Sequence, residues 1–266
     1  MKLNIVPART GWLWVKAGLR TFWQQPLALS GLFFLFITVM SVASLLPYLG
    51  NALALSLLPA ATLGLMAATR EATLGKFPMP SILVSAFRAG RQQARAMVVL
   101  GVVYALAFLA VLGISALFDG GDFARLYLVG GTLTREMVES PAFQNAMWVA
   151  MALYLPLSLL FWHAPALVHW HGVPPVKSLF FSGVACVRNF GAMTVFLLGW
   201  MAVFSVVGML LMVLSALLGQ PELMGMLMFP AAMLLAAMFF SSIWFSFRDS
   251  FVADDDAPAS TEAPQI

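Results

Sequence analysis

Residues 190–218 read FGAMTVFLLGWMAVFSVVGMLLMVLSALL, without one charged side chain. At a rise of about 1.5 Å per residue, a helix of this length exceeds the roughly 30 Å hydrocarbon core of a bilayer, so it tilts or begins outside the core. A membrane barrel is excluded, because barrel strands alternate apolar and polar residues and this stretch does not. Working outward, comparable apolar runs occupy residues 26–49, 52–69, 96–118, 146–168 and 223–247. With no water to satisfy backbone groups inside a bilayer, six such runs specify an all-α polytopic bundle of six spans. Residues 2–25 are too long for the charged leader of a signal peptide, so the first span is expected to be retained.

Composition agrees. The chain is 62% hydrophobic and 9% charged, against about 45–50% and about 25% in ordinary soluble domains; the mean hydropathy is +0.93. The net charge of +3 is too small for nucleic-acid binding, and the basic residues lie beside apolar runs. Cys186 is the single cysteine, which excludes an intramolecular disulfide, a CxxC redox pair and a cysteine zinc cluster.

Lys/Arg asymmetry sets orientation. With an inside N-terminus, the inner segments carry Lys2, Arg9, Lys16, Arg20, Arg70, Lys76, Arg88, Arg91, Arg95, Lys177, Arg188 and Arg248, and the outer ones only Arg125 and Arg135. Both termini are therefore expected to be cytoplasmic. The one sizeable outer loop, residues 119–145, opens with the turn Asp119-Gly120-Gly121-Asp122 and ends at Ser140-Pro141, an N-cap followed by proline in the first helical position. The domain reading is a six-span domain over 1–252 and an acidic, proline-bearing tail over 253–266 that is expected to be disordered.

The spacing of prolines repeats three times. Pro7, Pro78 and Pro175 each stand thirteen residues before an arginine, namely Arg20, Arg91 and Arg188, and a span follows each. Pro59 and Pro156 are each followed by glycine sixteen residues on, at Gly75 and Gly172. Units of about 7–77, 78–174 and 175–252 result, each a cytoplasmic-side interfacial helix, an outward span and an inward span with a proline; Pro230 completes the series. At 100° per residue Arg88, Arg91 and Arg95 fall on one helix face, opposite Leu83, Ala86, Phe87, Gly90 and Ala94. In the first unit Arg9, Lys16 and Arg20 share a face flanked by Trp12 and Trp23, opposite Trp14, Val15, Gly18 and Phe22. In the third, Lys177 and Arg188 align, but Phe181 and Val184 lie with them. Tryptophan beside basic residues suits the headgroup region, which makes Lys16, Arg20, Arg88, Arg91, Arg95, Lys177 and Arg188 the candidates for holding anionic lipid headgroups.

Other chemistry is thin. His163, His169 and His171 fall within eleven residues, but His163 and His169 do not share a helix face and no carboxylate lies nearby, so they read as interfacial histidines beside Trp162 and Trp170 rather than metal ligands. Met224 and Met228 face the same way, yet methionine is spread through the other spans too, and packing accounts for it. No span core contains Asp, Glu, Lys or Arg, which argues against ion-coupled transport. Pro59, Pro156 and Pro230 could break helices around a transport path, while Ala60, Gly64 and Ala68 at spacing four serve close packing. HExxH, GxSxG, P-loop and paired intramembrane carboxylates are all absent, so no cofactor is expected and the enzyme reading leans to no.

The stretches Pro7-Ala8-Arg9-Thr10-Gly11-Trp12, Phe22-Trp23-Gln24-Gln25-Pro26-Leu27, Leu58-Pro59-Ala60-Ala61-Thr62-Leu63-Gly64, Phe161-Trp162-His163-Ala164-Pro165 and Pro175-Val176-Lys177-Ser178-Leu179-Phe180-Phe181-Ser182 resemble an uncharacterised family of bacterial six-span inner-membrane proteins. The pattern of interfacial helix plus two spans also looks, in architecture alone, like the membrane domain attached to some bacterial glycerophosphodiester phosphodiesterases. The first resemblance implies the bacterial cytoplasmic membrane and no activity. The expectation is a non-catalytic envelope scaffold or accessory protein acting through lipid or protein contacts, with a permease or lipid-handling transporter as the alternative.

Overall fold

The computed structural model describes residues 2–46, 49–220 and 222–252. The expected tail at 253–266 lies outside the described residues. Eleven α-helices are described: α1 Thr10–Gln24, α2 Pro26–Ser44, α3 Gly50–Thr73, α4 Arg91–Asp119, α5 Asp122–Val129, α6 Arg135–Glu139, α7 Pro141–Phe161, α8 Ala164–His171, α9 Pro175–Arg188, α10 Phe190–Leu217 and α11 Glu222–Ser250. A 3-10 helix, Pro80–Phe87, precedes α4. Two-residue strands β1 (Lys2–Leu3) and β2 (Phe251–Val252) pair antiparallel. Six helical segments are long and apolar enough to cross a membrane: α2, α3, α4, the α7–α8 segment, α10 and α11. The all-α six-span architecture read from the sequence holds, and each pair of spans is preceded by a short helical element.

The described residues pack as two compact units, and neither is one contiguous piece of chain. Among the described residues the first takes those within 2–30, 65–79 and 185–252, the second those within 31–64 and 80–184. Packing thus divides the chain differently from the proline spacing.

In the first unit α1 lies against α10 and α11. Its buried stripe is Gly11, Trp14, Val15, Gly18, Thr21 and Phe22, spaced as one helical face requires. Glycine is needed here for lack of room rather than for backbone freedom. A β-carbon on Gly11 would run into Ala192 of α10, and one on Gly18 into Ser242 of α11. Between them Trp14, 1% exposed, meets the Phe196 ring edge-on with centroids 6.0 Å apart. Its indole N–H donates to Asp249 Oδ2 at 2.9 Å. Trp200 likewise donates to Ser242 Oγ at 3.0 Å.

The termini close this unit. Besides the β1–β2 pair, the Asn4 amide donates to the Ser250 carbonyl at 2.9 Å. The Asn189 carboxamide, 2% exposed, accepts from Val6 N–H at 2.8 Å and donates to the Asn4 carbonyl at 3.0 Å. A buried polar group satisfied on both sides is a stable clasp. Residues 2–6 and 250–252 must therefore lie on one side of the membrane, as an even number of spans requires. From Met201 to Leu214, α10 is exposed or half-buried at every position, presenting Met, Leu, Val and Phe as a lipid-facing helix would.

In the second unit α4 pairs with α7 and approaches α3 closely, a β-carbon on Gly101 running into the Ser56 carbonyl. Small residues at such crossings let helices touch where no hydrophobic force drives them together. An aromatic ladder runs along α4: Tyr104 meets Phe161 edge-on at 4.9 Å and stacks with Phe108 at 6.1 Å, and Phe108 meets Tyr154 at 5.7 Å. The break between α7 and α8 has a specific cause. Pro165 has no N–H to donate back to Phe161, and the Ser182 hydroxyl enters the ladder two residues earlier, accepting from His163 N–H at 2.9 Å and donating to the Leu159 carbonyl at 2.8 Å. A side chain inserted this way bends a helix. Between α4 and α7 Asp119 accepts from the amides of Gly121 and Phe123 at 2.9 and 2.7 Å, and Thr134 caps α6 through Met137 N–H. Ser140 occupies the N-cap position before Pro141, but its side chain makes no capping bond.

Candidate lipid-contacting site

The seven basic side chains singled out in the sequence are all exposed. On α1 the buried stripe fixes the opposite face, which carries Lys16 and Arg20 one turn apart. Lys16 Nζ sits 5.6 Å from the centre of the Trp12 ring, and Trp12 and Trp23 are 41% and 66% exposed. An indole and an ammonium on one exposed face match the polarity of a headgroup layer. On α9, Ser178, Ser182, Ala185 and Cys186 are buried while Lys177 and Arg188 are exposed. Arg188 stands in the last turn, where a cation is favoured by the helix dipole, and Lys177 in the first, where it is not.

The second element departs from the expected single amphipathic helix. The 3-10 helix ends at Phe87, Arg88 N–H closes a turn onto the Ser85 carbonyl at 3.0 Å, and Gly90 takes φ +119, a conformation that only glycine adopts readily. A new helix then starts at Arg91. The three arginines therefore do not share one helix face: Arg88 lies in the connection, and Arg91 and Arg95 stack at i, i+4 on the first turns of α4. The physical reason is that Pro78 and Pro80 remove amide donors ahead of the helix while Gly90 terminates it. Electrostatically the start of α4 is one-signed. It has no acidic residue in its first turn and no side-chain cap, so exposed amides and two guanidiniums all present positive charge, an arrangement that favours an anion.

Among the described residues, none of the seven basic side chains pairs with a carboxylate; the two ion pairs found there are Arg135 with Glu139 and Arg248 with Asp249. Beneath the 3-10 helix lies an apolar cavity of about 120 Å³, lined by Phe36, Val39 and Met40 of α2, Leu57, Ala60 and Ala61 of α3, and Leu83, Val84 and Phe87. A second cavity of about 200 Å³ lies between α4, α5 and α7 and is lined by Phe108, Phe123, Tyr127, Met151 and Tyr154 among others. Neither cavity was legible in the sequence, since each is formed by residues far apart in the chain that read individually as span or loop.

The three prolines occupy different surroundings. Pro59 is buried in α3, whereas Pro156 of α7 and Pro230 of α11 are exposed. The histidines are likewise dispersed in environment: His163 is fully buried, His169 half-buried and His171 exposed. His163 is packed inside the protein rather than exposed beside Trp162, and its backbone N–H is held by Ser182. Among the described residues no three His, Cys, Asp or Glu side chains group as a metal site would require.

No family model matches the chain, and no solved structure matches it. A protein of Burkholderia thailandensis described as a probable inner membrane protein is 40% identical over 262 residues, spanning 97% of each chain. With six apolar helices and this likeness over nearly the full length, the chain belongs to the same family of uncharacterised bacterial inner-membrane proteins and is itself an integral, multi-pass protein of that membrane.

Proposed function

We propose that the protein is a non-catalytic scaffold or accessory component of the cytoplasmic membrane, with both termini in the cytoplasm and a basic collar that holds anionic lipid headgroups. The observation that carries this reading is the seven exposed basic side chains, Lys16, Arg20, Arg88, Arg91, Arg95, Lys177 and Arg188, which stand on or beside the elements leading into the spans and have no carboxylate partner among the described residues. Such charges attract an anionic leaflet at about 1 kcal/mol each near the surface. The side on which they collect follows from the twelve-to-two distribution of Lys and Arg.

The test is the selectivity of the purified protein for spin-labelled phosphatidylglycerol over phosphatidylcholine in mixed bilayers. Changing all seven to glutamine should abolish a preference that the unaltered protein shows and that salt weakens. Equal affinity for the two lipids before substitution would overturn the proposal.

A further inference from the structure

We infer that one anionic phospholipid has a defined seat in the second unit, with an acyl chain in the cavity under the 3-10 helix and its phosphate on Arg88 and Arg91. The inference rests on the collar reading and adds a single, saturable site to it. The cavity and the arginines are consecutive in the chain: Phe87 lines the cavity and Arg88 follows it. The 3-10 helix roofs the space. Its backbone is pressed onto α3, a β-carbon on Gly64 falling 2.7 Å from Leu83 Cα.

The walls are apolar throughout, from Phe36, 4% exposed, to Val39, Val84 and Phe87 at the mouth, 46%, 45% and 39% exposed. That mouth opens beside the exposed apolar face of α2, where Phe34, Leu35 and Val42 are 43%, 39% and 60% exposed, so in a bilayer the surrounding lipid supplies the occupant. An apolar cavity of about 150 Å³ stays dry and accepts a benzene-sized ligand; the one here, at about 120 Å³, takes a short run of methylenes. Charge decides which lipid. Arg88 and Arg91 beside the uncapped start of α4 leave positive charge with no protein counter-charge among the described residues. A zwitterionic headgroup offsets that charge poorly, and an anionic phosphate offsets it well.

Native mass spectrometry of the full chain, titrated with dioleoyl phosphatidylglycerol and with dioleoyl phosphatidylcholine, reads the seat as one lipid bound more tightly than the rest. Each methylene excluded weakens burial about fourfold, so Ala61→Leu, which extends a side chain into the cavity, should weaken that lipid by about 60-fold. Val84→Phe, at the exposed mouth where folding is not at stake, should weaken it in the same direction. Dihexanoyl phosphatidylglycerol and inorganic phosphate should compete weakly, because they supply the charge without the long chain. A photoreactive diazirine near the end of the acyl chain should label the peptide holding Leu83, Val84 and Phe87.

Two failures are distinguishable. If Arg88→Gln with Arg91→Gln weakens phosphatidylglycerol but Ala61→Leu and Val84→Phe do not, and no label reaches the 3-10 helix, the seat is wrong and the collar stands. If the unaltered protein retains both lipids equally, the collar reading falls and the seat falls with it.

Discussion

Gly18→Ala is the smallest change that tests how α1 is held. A β-carbon at this position would overlap Ser242 Cβ and lie 2.8 Å from Ser242 Cα and 3.1 Å from its amide nitrogen. Carbon atoms settle at about 3.5–4.0 Å, and two of these three neighbours are backbone, so rotating a side chain does not relieve the clash. α1 and α11 must move apart by about 1 Å. Separation loosens Trp14 and Phe22, which are 1% and 2% exposed on the same stripe, and pulls on Ser242, whose hydroxyl accepts from Trp200 at 3.0 Å. Overpacking costs about 1–3 kcal/mol, and a strained hydrogen bond adds about 0.5–1.5 kcal/mol. Alanine returns up to about 1 kcal/mol of helix propensity. The net expectation is a loss of about 1–3 kcal/mol, read from tryptophan fluorescence during SDS titration of the micellar protein. Gly208→Ala in α10 is the control, since nothing lies within 4 Å of its β-carbon position, and it should be neutral or stabilising. Equal shifts in the same direction for both variants would refute the close approach of α1 to α11.

Two further outcomes can be checked directly. Ser182→Ala removes the hydroxyl that bridges His163 N–H to the Leu159 carbonyl; it should destabilise the second unit by about 1–3 kcal/mol, measured in the same titration, and a variant as stable as the parent would show that the wedge carries no weight. Cysteines placed as Lys2→Cys and Val252→Cys should react with a membrane-impermeant maleimide from the same side, the buried Cys186 giving little background, and labelling from opposite sides would contradict the β1–β2 pair.

What the sequence disclosed followed from the physics of each signal. Spans were legible because a bilayer demands some twenty apolar residues and tolerates no substitute, so all six apolar runs correspond to long helices. The face of α1 was legible because Trp14, Val15, Gly18 and Phe22 are spaced for a helix and the basic residues fall opposite. Arg88, Arg91 and Arg95 misled for the same reason: the 100° rule assumes one continuous helix, and a glycine inside a helical pattern does not announce whether it continues or ends it. Gly90 ends it. The tryptophans beside His163 suggest an exposed interfacial residue, yet its side chain is buried and its backbone N–H meets a serine nineteen residues away. No local pattern carries that. The strand pair β1–β2 is two residues long, below any periodicity, and the Asn189 clasp joins positions separated by most of the chain. The apolar cavity under the 3-10 helix is of this second kind.

Charge balance ties topology to lipid binding. On the segments assigned to the cytoplasmic side, the sequence holds six carboxylates, Glu71, Asp249, Asp254, Asp255, Asp256 and Glu262, against the twelve basic residues. Asp249 is already engaged by Trp14 and Arg248. A surplus of this size is unfavourable for an isolated protein, because like charges on neighbouring elements repel and two of the arginines stand at the positive end of α4. An anionic leaflet reverses the sign of that cost. On the proposed topology, the residues that orient the spans during insertion include those that would hold lipid afterwards. Replacing Arg88, Arg91 and Arg95 with glutamine lowers the inner count from twelve to nine and leaves the outer count at two, so orientation survives while local lipid contact is lost. Only a much larger neutralisation, reaching α1 and α9 as well, brings the two sides close enough for orientation to be at stake.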